Sequence, residues 1–136
     1  MGRMNFDDLQ GERSYSGSRA YNQSKLANVL FTYELARRLG VGGVTANALH
    51  PGVVSTSFGA EDPASLQRLL LPLVRPFMKS ATQGAATSIY LASAPEVAGV
   101  TGRFFANCKP KRSSKVSYDP AVAARLWEVS VALTGG

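Results

Sequence analysis

The chain of 136 residues is 45% hydrophobic, which suits one soluble globular domain with its own core. No apolar run approaches the roughly 20 residues of a membrane helix, and Met1-Gly2-Arg3-Met4-Asn5 does not begin a signal peptide. A cytoplasmic setting without a membrane span is expected. The single cysteine, Cys108, excludes an internal disulfide and has no Cys or His at metal-ligand spacing, so no metal site is expected. The net charge of +6 raises nucleic acid as a partner. Against that, the basic residues are scattered, and the densest cluster, Lys109-Pro110-Lys111-Arg112 with Lys115, has no interleaved aromatics for base stacking. It reads as a solvated loop.

Residues 1–20 are polar, with Gly2, Gly11, Gly17 and serines at 14, 16 and 18, and read as a lead-in loop holding at most one helical turn. From Tyr21 to Leu39 the pattern is helical, with Leu26, Ala27, Val29, Leu30, Phe31, Leu35, Ala36 and Leu39 available for a broad buried face. Arg37 and Arg38 supply a cationic last turn, and Gly40 the stop. Val44 to Leu49 alternates small apolar residues with Thr45 and Asn47, which predicts a strand. A strand directly after a helix suggests a parallel sheet, whose ligands bind outside the carboxyl ends of the strands. His50-Pro51-Gly52-Val53-Val54-Ser55-Thr56 occupies such an end.

Ser57 to Ser80 opens turn-like and continues as an apolar stretch, Ala64 to Met78, broken by Pro72 and Pro76. Both a lid over an apolar substrate and a plain amphipathic packing segment fit it. Ser80-Ala81-Thr82-Gln83 is a capping-box pattern opening a helix that ends at Ala94-Pro95. Gly102 to Ala106 reads as a short aromatic strand. Asp119-Pro120 then opens a last helix to about Leu133, with Val122, Leu126, Trp127 and Val131 on its inner face.

Tyr21 and Lys25 stand one helical turn apart, so both project from one face. A phenol titrates near 10, and a fixed ammonium beside it favours the phenolate. At about 4 Å and an effective dielectric near 20 the interaction is worth about 4 kcal/mol, at most roughly three pKa units. Such a pair can exchange protons near neutral pH, although Y-x-x-x-K on its own also arises by chance. His50, the only histidine, stands at a strand end with no orienting carboxylate nearby in sequence, which argues against it as the acid/base. Asn47 is expected to tie neighbouring backbone together.

This order of helix, glycine turn, strand and P-G-x-x-x-T loop resembles the short-chain dehydrogenase/reductase family. The wording from Asn5-Phe6-Asp7-Asp8-Leu9 through Tyr21-Asn22-Gln23-Ser24-Lys25-Leu26-Ala27-Asn28 to His50-Pro51-Gly52 is most similar to its retinol dehydrogenase and WW-domain oxidoreductase branch. The resemblance implies an α/β fold with a Rossmann-like doubly wound parallel sheet, of which this chain holds the carboxyl-terminal half. It also implies an NAD(P)-dependent oxidoreductase acting on a lipophilic alcohol/carbonyl pair, with the branch favouring NADP over NAD.

In that reading Tyr21 is the general acid/base. Lys25 lowers its pKa and bonds the nicotinamide ribose, Pro51 and Gly52 shape the nicotinamide turn, Val53 and Val54 present peptide groups to the carboxamide, and Thr56 bonds the carboxamide or a phosphate. The chain divides accordingly into a lead-in (1–20), the catalytic helix, strand and loop (21–56), the lid (57–80), and the closing helices with the last strand (81–136). The family's T-G-x-x-x-G-x-G phosphate loop, its N-A-G segment and its strand-borne serine have no counterpart here, and Ser14, Ser16 and Ser18 stand too close to Tyr21 to replace that serine. A catalytically inactive module that pairs with a full-length relative, as a homo- or hetero-oligomer, is the alternative.

Overall fold

The computed structural model describes residues 2–54 and 78–135. Its longest element is helix α1 (Gly17–Leu39). It starts four residues earlier than expected, because Ser16 takes extended backbone (φ −146°, ψ 120°) and its carbonyl accepts the Ala20 N–H at 2.9 Å. Once the apolar stripe downstream has paid for nucleation, adding a turn of Gly, Ser, Arg and Ala costs little. The helix ends at Gly40, whose φ of 56° suits a residue without a Cβ.

The buried stripe of α1 is Leu26, Val29, Leu30, Tyr33 and Ala36, the three-and-four spacing of one helix face. Leu26 and Leu30 meet Ala123 and Leu126 of the closing helix α3 (Pro120–Thr134), forming the core. Burying each leucine contributes about 1.5–3 kcal/mol. Asp119 starts α3 by accepting the N–H groups of Ala121 and Val122 at 2.9 and 3.2 Å, and Pro120 takes the first turn. The lead-in is more ordered than a loop. Met4 and Phe6 pack on the α1–α3 core, Phe6 within a 3-10 turn (Phe6–Asp8), and the Arg125 guanidinium lies 4.4 Å from the centre of the Phe6 ring.

Glu34 is also buried in α1, a position the apolar pattern did not single out. Arg38 Nε donates to it at 2.7 Å and Arg37 pairs with it from the next turn. The same Arg38 covers the Trp127 ring, which stacks on Phe31 with centroids 5.4 Å apart. The carboxylate thus anchors Arg38 over Trp127 of α3.

The described sheet has three short strands, β1 (Ala48–His50), β2 (Phe104–Ala106) and β3 (Lys109–Lys111), in the order β1-β2-β3. β1 and β2 are parallel, with Leu49 opposite Phe105, and helix α2 (Ala81–Ser93) lies between them in sequence. The expected capping box opens α2: Gln83 N–H donates to Ser80 Oγ at 3.2 Å, and Ser80 N–H to Gln83 Oε1 at 3.0 Å. Tyr90 of α2 meets the buried Phe105 ring at 6.3 Å.

Two strand expectations are corrected. The first strand is Ala48–His50 rather than Val44 to Leu49, because the groups just before it bond a loop instead of a ladder. Ala46 N–H donates to Thr101 Oγ1, Ala46 carbonyl accepts from Gly102, and the Asn47 side chain donates to Val100 carbonyl while accepting from Arg103 N–H. Asn47 is therefore the backbone tie that was expected. The basic cluster, in turn, holds a strand: Lys109–Lys111 pairs antiparallel with β2. Asn107 and Cys108 both have left-handed backbone (φ 54° and 56°) and form the two-residue turn, of the primed kind that matches strand twist. Cys108 gave no turn signal, since Asn-Gly is the usual pair. Lys109, Pro110 and Lys111 are all exposed, and such residues discourage further pairing on this edge.

Candidate active site

Tyr21 and Lys25 lie in the second and third turns of α1, away from its buried stripe, and both are exposed. Lys25 Nζ stands 5.3 Å from the centre of the Tyr21 ring, so the one-turn spacing brings the two together as the sequence implied. At an exposed site such a cation over a ring is worth about 0.5–1 kcal/mol, enough to bias both rotamers toward one arrangement.

The second part of the site follows β1, which α1 packs against. His50 Nδ1 accepts the Gly52 N–H at 2.7 Å, so that nitrogen is engaged in shaping the turn. Gly52 has φ +90°, where L side chains rarely sit. A Cβ there would come within 2.9 Å of Lys79 Cε and displace the end of that flexible side chain, while the backbone conformation itself calls for glycine. Val53 is exposed, and its carbonyl accepts the Lys79 N–H at 2.8 Å. Val54 forms a parallel bridge with Lys79 and presses its methyls on Gly84 of α2.

Lys79 is the residue that sequence reasoning missed. Its Nζ donates to Pro51 carbonyl at 3.2 Å and to Asn107 Oδ1. The nearest signal was its place just before the capping-box Ser80, and nothing local could show that it reaches back 28 residues to Pro51. Thr56 and residues 57–77 of the expected lid lie outside the described residues.

A cleft of about 380 Å³ flanks the start of α1 and is lined by Asn5, Asp8, Tyr15, Arg19, Asn22 and Gln23 among others, but not by Tyr21 or Lys25. Gln23 organises its floor, its amide oxygen accepting Asn5 N–H and its NH2 donating to Leu9 carbonyl. Asp8 accepts the N–H groups of Arg13 and Ser14, and these bonds hold its carboxyl below its ordinary pKa, the Arg13 bond most of all. At the other end of α1, Tyr33 and Tyr118 stack 5.4 Å apart around Ser113. Burial raises the Tyr33 phenol, while bonds with Ser113 lower that of Tyr118. These groups serve α1 packing rather than the Tyr21 site.

No family model matches the chain. It is 49% identical to retinol dehydrogenase 14 of Homo sapiens over 98% of this chain and 40% of that protein. It is 44% identical to retinol dehydrogenase 12 of Mus musculus over 99% of this chain and 42% of that one. With the WW domain-containing oxidoreductase of Danio rerio the figures are 46% identity, 88% of this chain and 29% of the relative. The chain thus spans about two fifths of the length of the retinol dehydrogenases it matches. Among solved structures, an uncharacterized protein from Mycobacterium paratuberculosis superposes with a TM-score of 0.71 at 33% identity, covering 98% of this chain and 46% of that one.

Proposed function

The chain belongs to the short-chain dehydrogenase/reductase family, and from that premise we propose that it carries the proton-transfer pair and the nicotinamide turn of an NAD(P)-dependent oxidoreductase. The observation that carries the reading is the Tyr21–Lys25 contact on a helix packed against the strand that ends in the Gly52 turn. The substrate class is an alcohol/carbonyl pair. A lipophilic one, retinoid-like or a long-chain aldehyde, is proposed from the retinol dehydrogenase branch that the sequence resembles, and NADP is proposed ahead of NAD from the same resemblance. A cytoplasmic location belongs to the proposal. Among the described residues, no helix is long and apolar enough to cross a membrane.

The residues fit a nicotinamide. Pro51 and Val53 are exposed, and Gly52, at φ +90°, turns the chain just beyond β1 with no side chain of its own. A planar carboxamide pairs with the backbone groups of such a turn. Because Lys79 engages the Pro51 and Val53 carbonyls and His50 engages the Gly52 N–H, we assign the carboxamide to the remaining peptide groups of Val53 and Val54 and to Thr56. When bound, the dinucleotide supplies or accepts the hydride. Tyr21 Oη gives a proton to the carbonyl oxygen in reduction and takes it from the hydroxyl in oxidation. Lys25 keeps positive charge against the forming phenolate and offers its ammonium to the ribose hydroxyls.

The test is Tyr21→Phe in the assembled enzyme, following NADPH consumption with a lipophilic aldehyde. Turnover falls by about 10²–10⁴, the usual share of acid/base catalysis, while NADPH binding is retained. A rate near that of the unaltered enzyme removes Tyr21 from the role. One observation favours a second reading. Among the described residues β1 pairs only with β2, and an open strand edge can take a strand from a full-length relative. Co-purification of that relative supports the pairing module, and a stable monomer that binds NADPH counts against it.

A further inference from the structure

We infer that Lys79 is a positioning residue that sets the turn from His50 to Val54 before any ligand arrives. The inference rests on the proposed role of that turn in holding nicotinamide. Lys79 joins three separate parts of the fold at one side chain. Its backbone N–H donates to Val53 carbonyl at 2.8 Å, and it bridges to Val54 in parallel register. Its stem lies on Gly52, with Cε, Cδ and Nζ all within about 3.0 Å of where a Cβ would stand. Its ammonium donates to Pro51 carbonyl and to Asn107 Oδ1.

The third tie matters because of where Asn107 sits. Asn107 and Cys108 form the left-handed turn between β2 and β3, and Cys108 N–H donates to Thr87 Oγ1 of α2 at 3.2 Å. The hairpin turn is thus fastened to α2, and Lys79 fastens the His50 to Val54 turn to the hairpin turn. A lysine serves because its ammonium is a compact three-donor group on a slender stem. The methylenes occupy the space over Gly52, and two of the donors bridge acceptors that belong to different turns.

Backbone groups that recognise a planar ligand do so best when they are held in place beforehand. Two positive-φ positions, Gly52 and Asn107, face each other across the ammonium, and both depend on surrounding contacts to stay where they are. Lys79 supplies those contacts from one side chain.

The experiment uses the 15N-labelled chain and two variants, Lys79→Met and Asn107→Gly. Amide hydrogen exchange is read at Gly52, whose N–H bonds His50, and at residue 79, whose N–H bonds Val53. Both variants are expected to speed exchange at these two amides about tenfold or more, the effect of losing one charge-assisted hydrogen bond, while exchange in α1 and α3 is unchanged. NADPH titration of the assembled enzyme carrying the same variants is expected to need about tenfold more dinucleotide to shift the Val53 and Val54 amides. In the enzyme assay KM for NADPH rises with kcat retained, a split that general destabilisation does not produce.

Unchanged exchange at both amides in both variants overturns the inference. If Lys79→Met loses protection throughout α1 and α3, Asn107→Gly decides alone, because it keeps the lysine stem on Gly52, tolerates the left-handed backbone of position 107 and removes the side-chain acceptor. If NADPH shifts no amide of the turn in the unaltered assembled enzyme, the nicotinamide reading fails, and the clamp is judged on exchange by itself.

Discussion

Gly84→Ala pits two effects of known sign against each other next to the site. Gly84 is buried in the first turns of α2, and an alanine there is worth about 1 kcal/mol of helix propensity. The added Cβ, however, would stand 2.6 Å from Val54 Cγ2 and 3.1 Å from Cγ1. Val54 cannot simply swing away, since its bridge to Lys79 fixes its backbone. Overpacking of this kind costs about 1–3 kcal/mol, so the net expectation is a loss of about 0–2 kcal/mol.

The decisive form is a double-mutant cycle with Val54→Ala. Truncating Val54 removes both offending methyls and leaves its Cβ at 3.5 Å from the new one, an ordinary contact. In that background Gly84→Ala should stabilise by about 1 kcal/mol, giving a coupling of about 1–3 kcal/mol. Urea unfolding followed by helical circular dichroism measures all four corners, with equal m values as the check on two-state behaviour. Stabilisation by Gly84→Ala in both backgrounds, with coupling below about 0.5 kcal/mol, would refute the claim that α2 holds the turn through Val54.

Leu30→Ala empties a position that is 0% exposed in the α1–α3 core, and a loss of about 2–5 kcal/mol is expected in urea. A loss under about 1 kcal/mol would show that the helices do not share this core. Ser80→Ala removes the acceptor of the Gln83 N–H and should cost about 1 kcal/mol, with faster exchange at the Gln83 amide and none at Leu30. Asp8 has its folded pKa lowered, chiefly by the Arg13 N–H. Its contribution is therefore present above the unfolded value and lost as pH falls through the lower, folded one. The Arg13 and Ser14 amide shifts should titrate with a midpoint below the ordinary carboxylate range, and a midpoint within that range would refute the assignment.

Much of the architecture was legible before any coordinates because it is local. Most of the buried stripe of α1 (though not Tyr33, and with Phe31 expected inside but exposed), the capping box at Ser80 and the Asp119-Pro120 helix start each depend on residues within a turn or two of one another. The Tyr21–Lys25 pairing is legible for the same reason, since helical spacing alone sets it. Family resemblance added the order in which such local signals recur.

What only the tertiary structure decided is long-range. The first strand begins at Ala48 because Thr101 and Val100 claim the groups of Ala46 and Asn47, partners some 50 residues away that no window of sequence displays. The basic cluster became a strand because Cys108 accepted a left-handed turn with its N–H on Thr87 of another element. Lys79 acquired its place only once Pro51, Val53 and Asn107 had been brought around it. Periodicity and caps record what each segment does with its own neighbours, and hydrogen bonds between distant loops are settled by whichever partner the completed fold puts within reach.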